Sequence, residues 1–275
     1  MLYVVATPIG NPDDISARAI RVLKSVDLIA AEDTRRSGQL LAQLGVATPM
    51  LAYHDHSDAA RVEQLISALA SGKQIALISD AGTPLVSDPG YRLVRRCHES
   101  GIRVTALPGA CAAIAALSIA GLPSDRFCFE GFLPPKAHAR ANTLASLKKE
   151  TRTLMFYESP RRIAAMLADV AQVLGQEREV VMVRELTKTH ETLLRGTVTE
   201  VLSQVQSDHE QQLGEIVVLV AGYVADEDVE TERARSLMST LMKHLPVKAA
   251  VSCAEELSDL PRNKLYKIGL ELKAE

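Results

Sequence analysis

Four short segments of the 275-residue chain concentrate Gly, Pro, Asp and hydroxyl side chains. They are Ala6-Thr7-Pro8-Ile9-Gly10-Asn11-Pro12, Ala31-Glu32-Asp33-Thr34-Arg35-Arg36, the run SDAGTPLVSDPG from Ser79 to Gly90, and Leu107-Pro108-Gly109-Ala110-Cys111-Ala112-Ala113. Small residues let the backbone approach a bound molecule closely, and carboxylates and hydroxyls supply hydrogen-bond partners. One such segment alone reads as turn chemistry; four of them read as a ligand cleft. The chain has no G-x-G and no G-x-x-x-x-G-K-[ST], so the common dinucleotide and Walker-type phosphate loops are missing. Before residue 88 the only lysines are Lys24 and Lys73, whereas a polyphosphate calls for more positive charge. A ligand with a charged amino group and hydroxyls suits Asp and carbonyl oxygens better, and S-adenosylmethionine fits that description. His54-Asp55-His56 invites a metal reading, but no third ligand of suitable spacing follows. Asp55 and Ser57 suit a helix cap instead, so no metal is expected.

The elements that position these segments alternate. Leu2–Ala6, Asp27–Ala31, Met50–Tyr53, Ile75–Ser79 and Arg103–Leu107 read as short, continuously apolar strands, with helices near 15–24, 36–44, 57–71, 87–100 and 109–120. This is the pattern of a parallel sheet covered on both faces, and ligands of such sheets bind beyond the carboxyl ends of the strands. The four segments fall there. Gly121-Leu122-Pro123-Ser124-Asp125 marks a boundary. Strands then resume at Phe127–Glu130, Thr153–Tyr157, Val180–Arg184, Thr192–Gly196 and Ile216–Gly222, with helices near 137–149, 159–174 and 197–207. Some of these strands follow each other without a helix, which predicts a mixed sheet. The acidic stretch Asp226-Glu227-Asp228 leads to a strandless remainder with helices at 229–244, 246–257 and 262–273, where Pro246 and Pro261 suit helix starts. The expectation is an α/β protein: domains 1–121 and 122–225, the first with a mostly parallel sheet, and a helical, helix-turn-helix-like extension over 226–275.

Composition narrows the function classes. Hydrophobic residues are 47% and charged residues 24%, which excludes disorder as the main state. The net charge of -3 gives no global field for nucleic acid, so any such partner must meet a local basic patch. Aromatics are only 4%, with no Trp, which excludes a surface of many stacking platforms. Val104 to Ser124 is uncharged but rich in Ala and broken by Pro and Gly, so it reads as a packed helix and not a membrane span. The N-terminus reads as a strand and turn without a signal peptide, and the four cysteines form no CxxC. A cytoplasmic protein with reduced thiols is expected.

Seven motifs in order carry a resemblance: TPIGN at 7–11, AEDTR at 31–35, SDAGTPLVSDPG at 79–90, LPG at 107–109, EGFLP at 130–134, FYESPRR at 156–162 and RELTKTHE at 184–191. Across essentially the whole chain the sequence resembles the bacterial ribosomal RNA small-subunit methyltransferase I family of the tetrapyrrole methylase superfamily. The resemblance implies two α/β domains with S-adenosylmethionine in the cleft between them, a homodimer, and 2′-O-methylation of a cytidine in the decoding region of 16S rRNA in the 30S subunit. Residue by residue, it implies cofactor contacts at Pro8, at Gly82, Thr83, Pro84 and Val86, and at Cys111 and Ala112. Thr83 stands where the superfamily has an acidic residue, so Asp80 is the candidate to supply that carboxylate. Cys111 stands where a hydroxyl is usual and offers only a weak hydrogen bond. In the second domain Phe156 and Glu158 match positions lining the adenosine pocket, with Thr187 and the stretch from Gly214 to Ile216 closing over it.

A ribose hydroxyl is a weak acid, so a base or cation near it helps the transfer. Asp33, Arg35, Glu185, Lys188 and Glu191 are the polar candidates at predicted strand ends. Glu185 and Lys188 are the preferred catalytic pair, with Arg35 as a positioning group; a structural ion pair between Arg184 and Glu185 is the competing reading. For RNA, Lys136 and Arg140 lie in a basic Pro-rich loop without an acid until Glu150, Arg161 follows the FYES strand end, and Arg262 and Lys264 lie in the helical extension. Phosphate contacts from such residues position RNA without reading its sequence. Two other classes compete: a methylase of a small tetrapyrrole, which needs neither the basic loop nor the extension, and a non-catalytic ribosome-binding factor.

Overall fold

Five short, mainly aliphatic runs form the first sheet: β1 (Leu2–Val5), β2 (Leu28–Ala31), β3 (Met50–Ala52), β4 (Ile75–Ile78) and β5 (Val104–Leu107). Their order is β3-β2-β4-β1-β5 and every pairing is parallel, as continuous apolar strands separated by helices require. Helices α1 (Ala17–Ser25) and α2 (Thr34–Gln43) cover one face, where Ala19, Leu23 and Leu41 pack on Val5, Ile29, Ala31 and Ile78. Helices α3 (Ala59–Ala70) and α4 (Tyr91–Glu99) cover the other, where Leu65, Leu93 and Cys97 pack on Leu2, Ala30, Ile75 and Leu77. Adjacent strands β1 and β4 therefore lead to helices on opposite faces. Their carboxyl ends flank a topological switch point, the place where an open α/β sheet binds its ligand.

This computed structural model describes residues 1–54, 59–224, 227–258 and 260–274. Asp55, His56 and Ser57 of the metal and cap readings, Asp226 of the acidic stretch and Asp259 of the extension lie outside the described residues. Met1–Gly222 forms one compact unit and Tyr223–Glu275 a second.

Helix α5 (Ala112–Ala120) begins three residues later than its Ala-rich sequence predicts, because Pro108, Gly109 and the extended Cys111 hold the preceding loop out of helix. It lies on one face of the second sheet. That sheet contains β6 (Phe127–Phe132), β7 (Thr153–Glu158), β8 (Glu179–Arg184), β9 (Thr192–Thr197) and β10 (Ile216–Val220) in the order β6-β7-β10-β8-β9. Only β6 and β7 pair in parallel; the other pairs are antiparallel. Helices α6 (Ala137–Ser146), α7 (Ile163–Leu174) and α8 (Val198–Ser207) form the opposite layer. Strand alternation divides the side chains cleanly. Leu154, Phe156, Val180, Met182, Val218 and Val220 face α6–α8. Met155, Tyr157, Val181, Val183, Val217 and Leu219 face α5.

The second unit contains α9 (Glu227–Met242), α10 (Val247–Leu257) and α11 (Arg262–Ala274). Pro246 is the N-cap of α10, and the carbonyl of Pro261 accepts the first N–H bonds of α11. Ala234, Met238, Val251, Ala254, Leu265 and Ile268 give these helices a core of their own. Among the described residues no helix is long and apolar enough to cross a membrane.

Candidate active site

The loop after β1 and the loop after β4 are tied together at the switch point. Thr7 and Gly82 exchange backbone hydrogen bonds of 2.9 and 3.0 Å. Gly82 has φ 84°, which glycine tolerates best, and Leu85 and Ser87 follow at φ 76° and 63°. Thr83 Oγ1 donates to the Ala110 carbonyl at 2.9 Å, joining this loop to the turn before α5. These bonds shape one wall of a cavity of about 360 Å³, within the range of small-molecule sites. Ile9, Gly82, Thr83, Val86, Asp88 and Ala112 line that wall.

The second sheet supplies the rest through Phe132, Tyr157, Glu158, Val183, Leu186 and the stretch 214–217. The Tyr157 hydroxyl accepts from the Ala113 N–H at 3.2 Å, so the phenol occupies the N-terminus of α5. Burial pushes its pKa well up, and the Cys111 thiol beside it adds to that. Glu158 is buried, and both its oxygens are used: Oε1 accepts from the Ser159 N–H at 2.6 Å, Oε2 from Arg162 Nη2 at 2.8 Å. No Lys, Arg or His lines the cavity among the described residues, whereas Asp88, Glu158 and Glu215 do. A lining without basic side chains offers nothing to a polyphosphate.

At the rim stands a carboxylate–ammonium–carboxylate cluster. Lys188 Nζ donates to Glu185 Oε1 at 2.8 Å and to Glu215 Oε2 at 3.0 Å. Glu185 Oε1 also accepts from the Glu215 N–H at 2.9 Å. Burial works against the charge on Glu185, but the bonds from Lys188 and the Glu215 N–H outweigh it and hold the carboxyl below its ordinary value. Burial likewise opposes the Lys188 charge, and the two carboxylates outweigh it and raise its pKa. Two glycines make room. A Cβ on Gly214 would collide with the Glu185 carboxylate, and one on Gly10 with Lys188 Cγ. Leu186, between the two ionic residues, lines the cavity, as do Gly214 and Glu215.

The structure brings Gly82, Thr83, Val86, Ala112, Glu158 and Gly214 together on the cavity lining. Pro8, Pro84 and Cys111 sit one residue from lining residues. Asp80 also adjoins a lining residue, Ala81, but its carboxylate accepts from the Asp33 N–H at 3.1 Å and from Arg36 at 3.3 Å, closing the loop after β2 onto the loop after β4. Arg35 is exposed and paired with Asp33 at 3.0 Å, whose pKa falls to about 2 through that side-chain hydrogen bond. Arg35 does not line the cavity. Arg184 pairs with Thr192 Oγ1 at 3.0 Å, so the ion pair of Glu185 is with Lys188. The side-chain oxygen of Thr187 is buried with no hydrogen-bond partner, and its φ is 68°.

Two expectations need correction. Phe156 is fully buried among Ile163, Met166 and Val218, under α7, and cannot line the cavity. One residue along a strand reverses the face, and Tyr157 takes the position. Arg140, expected to grip RNA, is 5% exposed; its Nε donates to Asp169 at 2.5 Å and its Nη1 to the Pro135 carbonyl at 3.3 Å. It fastens α6 to α7. Lys136 and Arg161 are exposed, as are Lys264 and Arg262, the last paired with Glu255 at 2.6 Å. Tyr157, Phe132 and Asp88 fell within the motifs read from the sequence, but none of them was assigned to the lining. The alternation through β7 was the signal that could have found Tyr157.

Residues 1–202 match the family described as Tetrapyrrole (Corrin/Porphyrin) Methylases, and residues 227–273 match the RsmI C-terminal HTH domain. The chain is 51% identical to a protein of Escherichia coli O157:H7 named Ribosomal RNA small subunit methyltransferase I, over 98% of this chain and 94% of that one. A protein of the same name from Pseudomonas aeruginosa is 52% identical, over 98% and 96%. Among solved structures, the uroporphyrin-III-C-methyltransferase of Thermus thermophilus superposes with a TM-score of 0.57 at 18% identity, covering 80% of this chain and 93% of that one. That likeness concerns the fold.

Proposed function

Given that the chain belongs to the ribosomal RNA small subunit methyltransferase I family, a branch of the tetrapyrrole methylases, we propose that it methylates the ribose 2′-hydroxyl of a cytidine in the decoding region of 16S rRNA, acting on the 30S subunit. The observation that carries this reading is the cavity at the switch point: largely apolar, with no basic side chain among its described lining residues, and edged by the Glu185–Lys188 pair.

S-adenosylmethionine, the proposed cofactor, would supply an electrophilic methyl group at this cavity. Gly82, Thr83, Val86 and Ala112 would hold it from one side and Tyr157, Glu158 and Gly214 from the other, with Pro8, Pro84 and Cys111 shaping the turns behind the first wall. The chain's task is to align the acceptor oxygen and to manage its proton. At neutral pH the shifts above keep Glu185 ionised and Lys188 protonated. Glu185 accepts the hydrogen bond of the ribose hydroxyl and orients it. Lys188 offsets negative charge that grows on the oxygen as its proton passes to the Glu185 carboxylate. The Thr187 N–H donates to Glu191 at 2.6 Å and so pins the loop between them, and Asp80 ties the loop after β2 to the loop after β4. Arg35, exposed beyond Asp33, positions RNA, as do Lys136, Arg161, Arg262 and Lys264. Domains spanning 1–121, 122–225 and 226–275, a homodimeric state and a cytoplasmic location complete the proposal.

Transfer of labelled methyl from S-adenosylmethionine to purified 30S subunits tests it. Label in 16S rRNA supports the reading. Label only in an added tetrapyrrole, or binding of subunits without transfer, overturns it.

A further inference from the structure

Phe132 is an oddity of the cavity: a large apolar ring on its lining that is 58% exposed. Its direction comes from a defect in its strand. Phe129 and Phe132 are three residues apart, so on a regular strand they would face opposite sides. Strand β6 is bulged between Phe129 and Gly131, and Gly131 has φ 64°. A bulge inserts one residue and re-aims the side chains beyond it. Both rings consequently pack edge-on against Tyr157, with centroids at 4.9 Å for Phe129 and 5.7 Å for Phe132. Without the extra residue, Phe132 would turn to the covered face that holds Phe156.

The ring is also fixed from its other side in sequence. Leu133 is buried, and its carbonyl accepts from Arg162 Nη2 at 2.7 Å. The same Arg162 nitrogen holds Glu158 in the cavity wall. Phe132 is thus a preoriented aromatic surface and not a loose side chain. Two exposed cations lie close in sequence to the lining: Lys136, four residues beyond Phe132, and Arg161, directly after the lining residues Ser159 and Pro160. An aromatic face with cations near it is how proteins hold an unpaired nucleotide, stacking the base and contacting the phosphates.

Resting on the rRNA reading above, we propose that Phe132 is the stacking platform for the base of the nucleotide whose ribose receives the methyl group. Stacking fixes the base plane, and through it the position of the 2′-oxygen at the rim, without reading base identity. It is a positioning residue that touches substrate.

Steady-state methylation of 30S subunits by Phe132→Ala, Phe132→Leu and Phe132→Trp, with S-adenosylmethionine affinity measured alongside by calorimetry, tests this. KM for the subunit should rise about tenfold in the Ala and Leu variants, equivalent to about 1.4 kcal/mol. Trp should restore it, and in all three variants cofactor affinity should change by much less than tenfold. Wild-type KM in both Ala and Leu variants overturns the stacking role. A loss confined to cofactor affinity overturns it too, and assigns the ring to the adenine of the cofactor. Equal defects in Leu and Trp variants point to shape and not stacking, and also overturn it. The wild-type control separates this proposal from the one beneath it. Incorporation by wild type with an unaffected Ala variant removes the stacking role alone, whereas no incorporation by wild type removes both.

Discussion

Glu185 and Thr187 are non-glycine residues held at φ 52° and 68°, on either side of a leucine that lines the cavity. Backbone of this kind costs on the order of 1–3 kcal/mol per residue and persists where surrounding contacts impose it. Here the contacts are Lys188, the Glu215 N–H and the close approach of Gly10 and Gly214. The strain sets a carboxylate and an ammonium at the rim. Glu185→Gln is expected to lower methyl transfer roughly 10²-fold with little change in cofactor affinity; unchanged turnover removes Glu185 from the mechanism. The pair also fixes a pH window. Glu185 is lowered from 4.5, so its contribution to stability is complete above that value and is lost as pH falls through its folded-state value. Lys188 is raised from 10.5, so its contribution is complete below that value and is lost as pH rises through its folded-state value. Between about pH 6 and 9 neither group changes charge, and kcat should show no inflection from this pair. At this scale motif reading singled out Glu185, Lys188 and the loop glycines, which the fold brings to the cavity and its edge; their roles in transfer are proposals. It gave Phe132 no place on the lining and put Phe156 there instead, because which face a strand residue takes depends on register and on one bulge.

The elements were legible where the physics is local. Apolar β-branched runs and the Gly/Pro breaks between them give strands within a residue or two of those observed, and Ser16, Asp33 and Thr197 accept the N-cap hydrogen bonds of α1, α2 and α8. The β8–β9 hairpin followed from the missing helix between them. Partnership between elements is beyond local physics. Arg140 reads as a solvated base in a Pro-rich loop, yet it is buried against Asp169 of α7. Arg140→Ala leaves the Asp169 carboxylate without its partner and should destabilise the first unit by on the order of 3 kcal/mol, read as an earlier midpoint in urea unfolding. Affinity for 30S subunits, measured below the transition, should not change. A selective loss of subunit affinity with unaltered stability would return Arg140 to the RNA surface.

At the scale of the whole molecule, an acidic chain with ten aromatic residues seems poor material for RNA. The proposed function fits this economy: a cavity without basic lining residues would take a cationic cofactor, and a few local cations would serve one folded RNA site. The extension has its own core and its own family match. Removing residues 223–275 is expected to leave cofactor affinity intact and to weaken 30S binding; equal subunit affinity of the truncated protein would refute its RNA role. The most direct test of the proposed function is the site of the methyl group. After incubation of unmodified 30S subunits with S-adenosylmethionine, alkaline hydrolysis of the 16S rRNA distinguishes ribose from base methylation, because a blocked 2′-oxygen cannot attack the neighbouring phosphate. The expected product is one alkali-resistant dinucleotide that begins with a methylated cytidine from the decoding region. Label released entirely as mononucleotides, or located at another nucleotide, would contradict it.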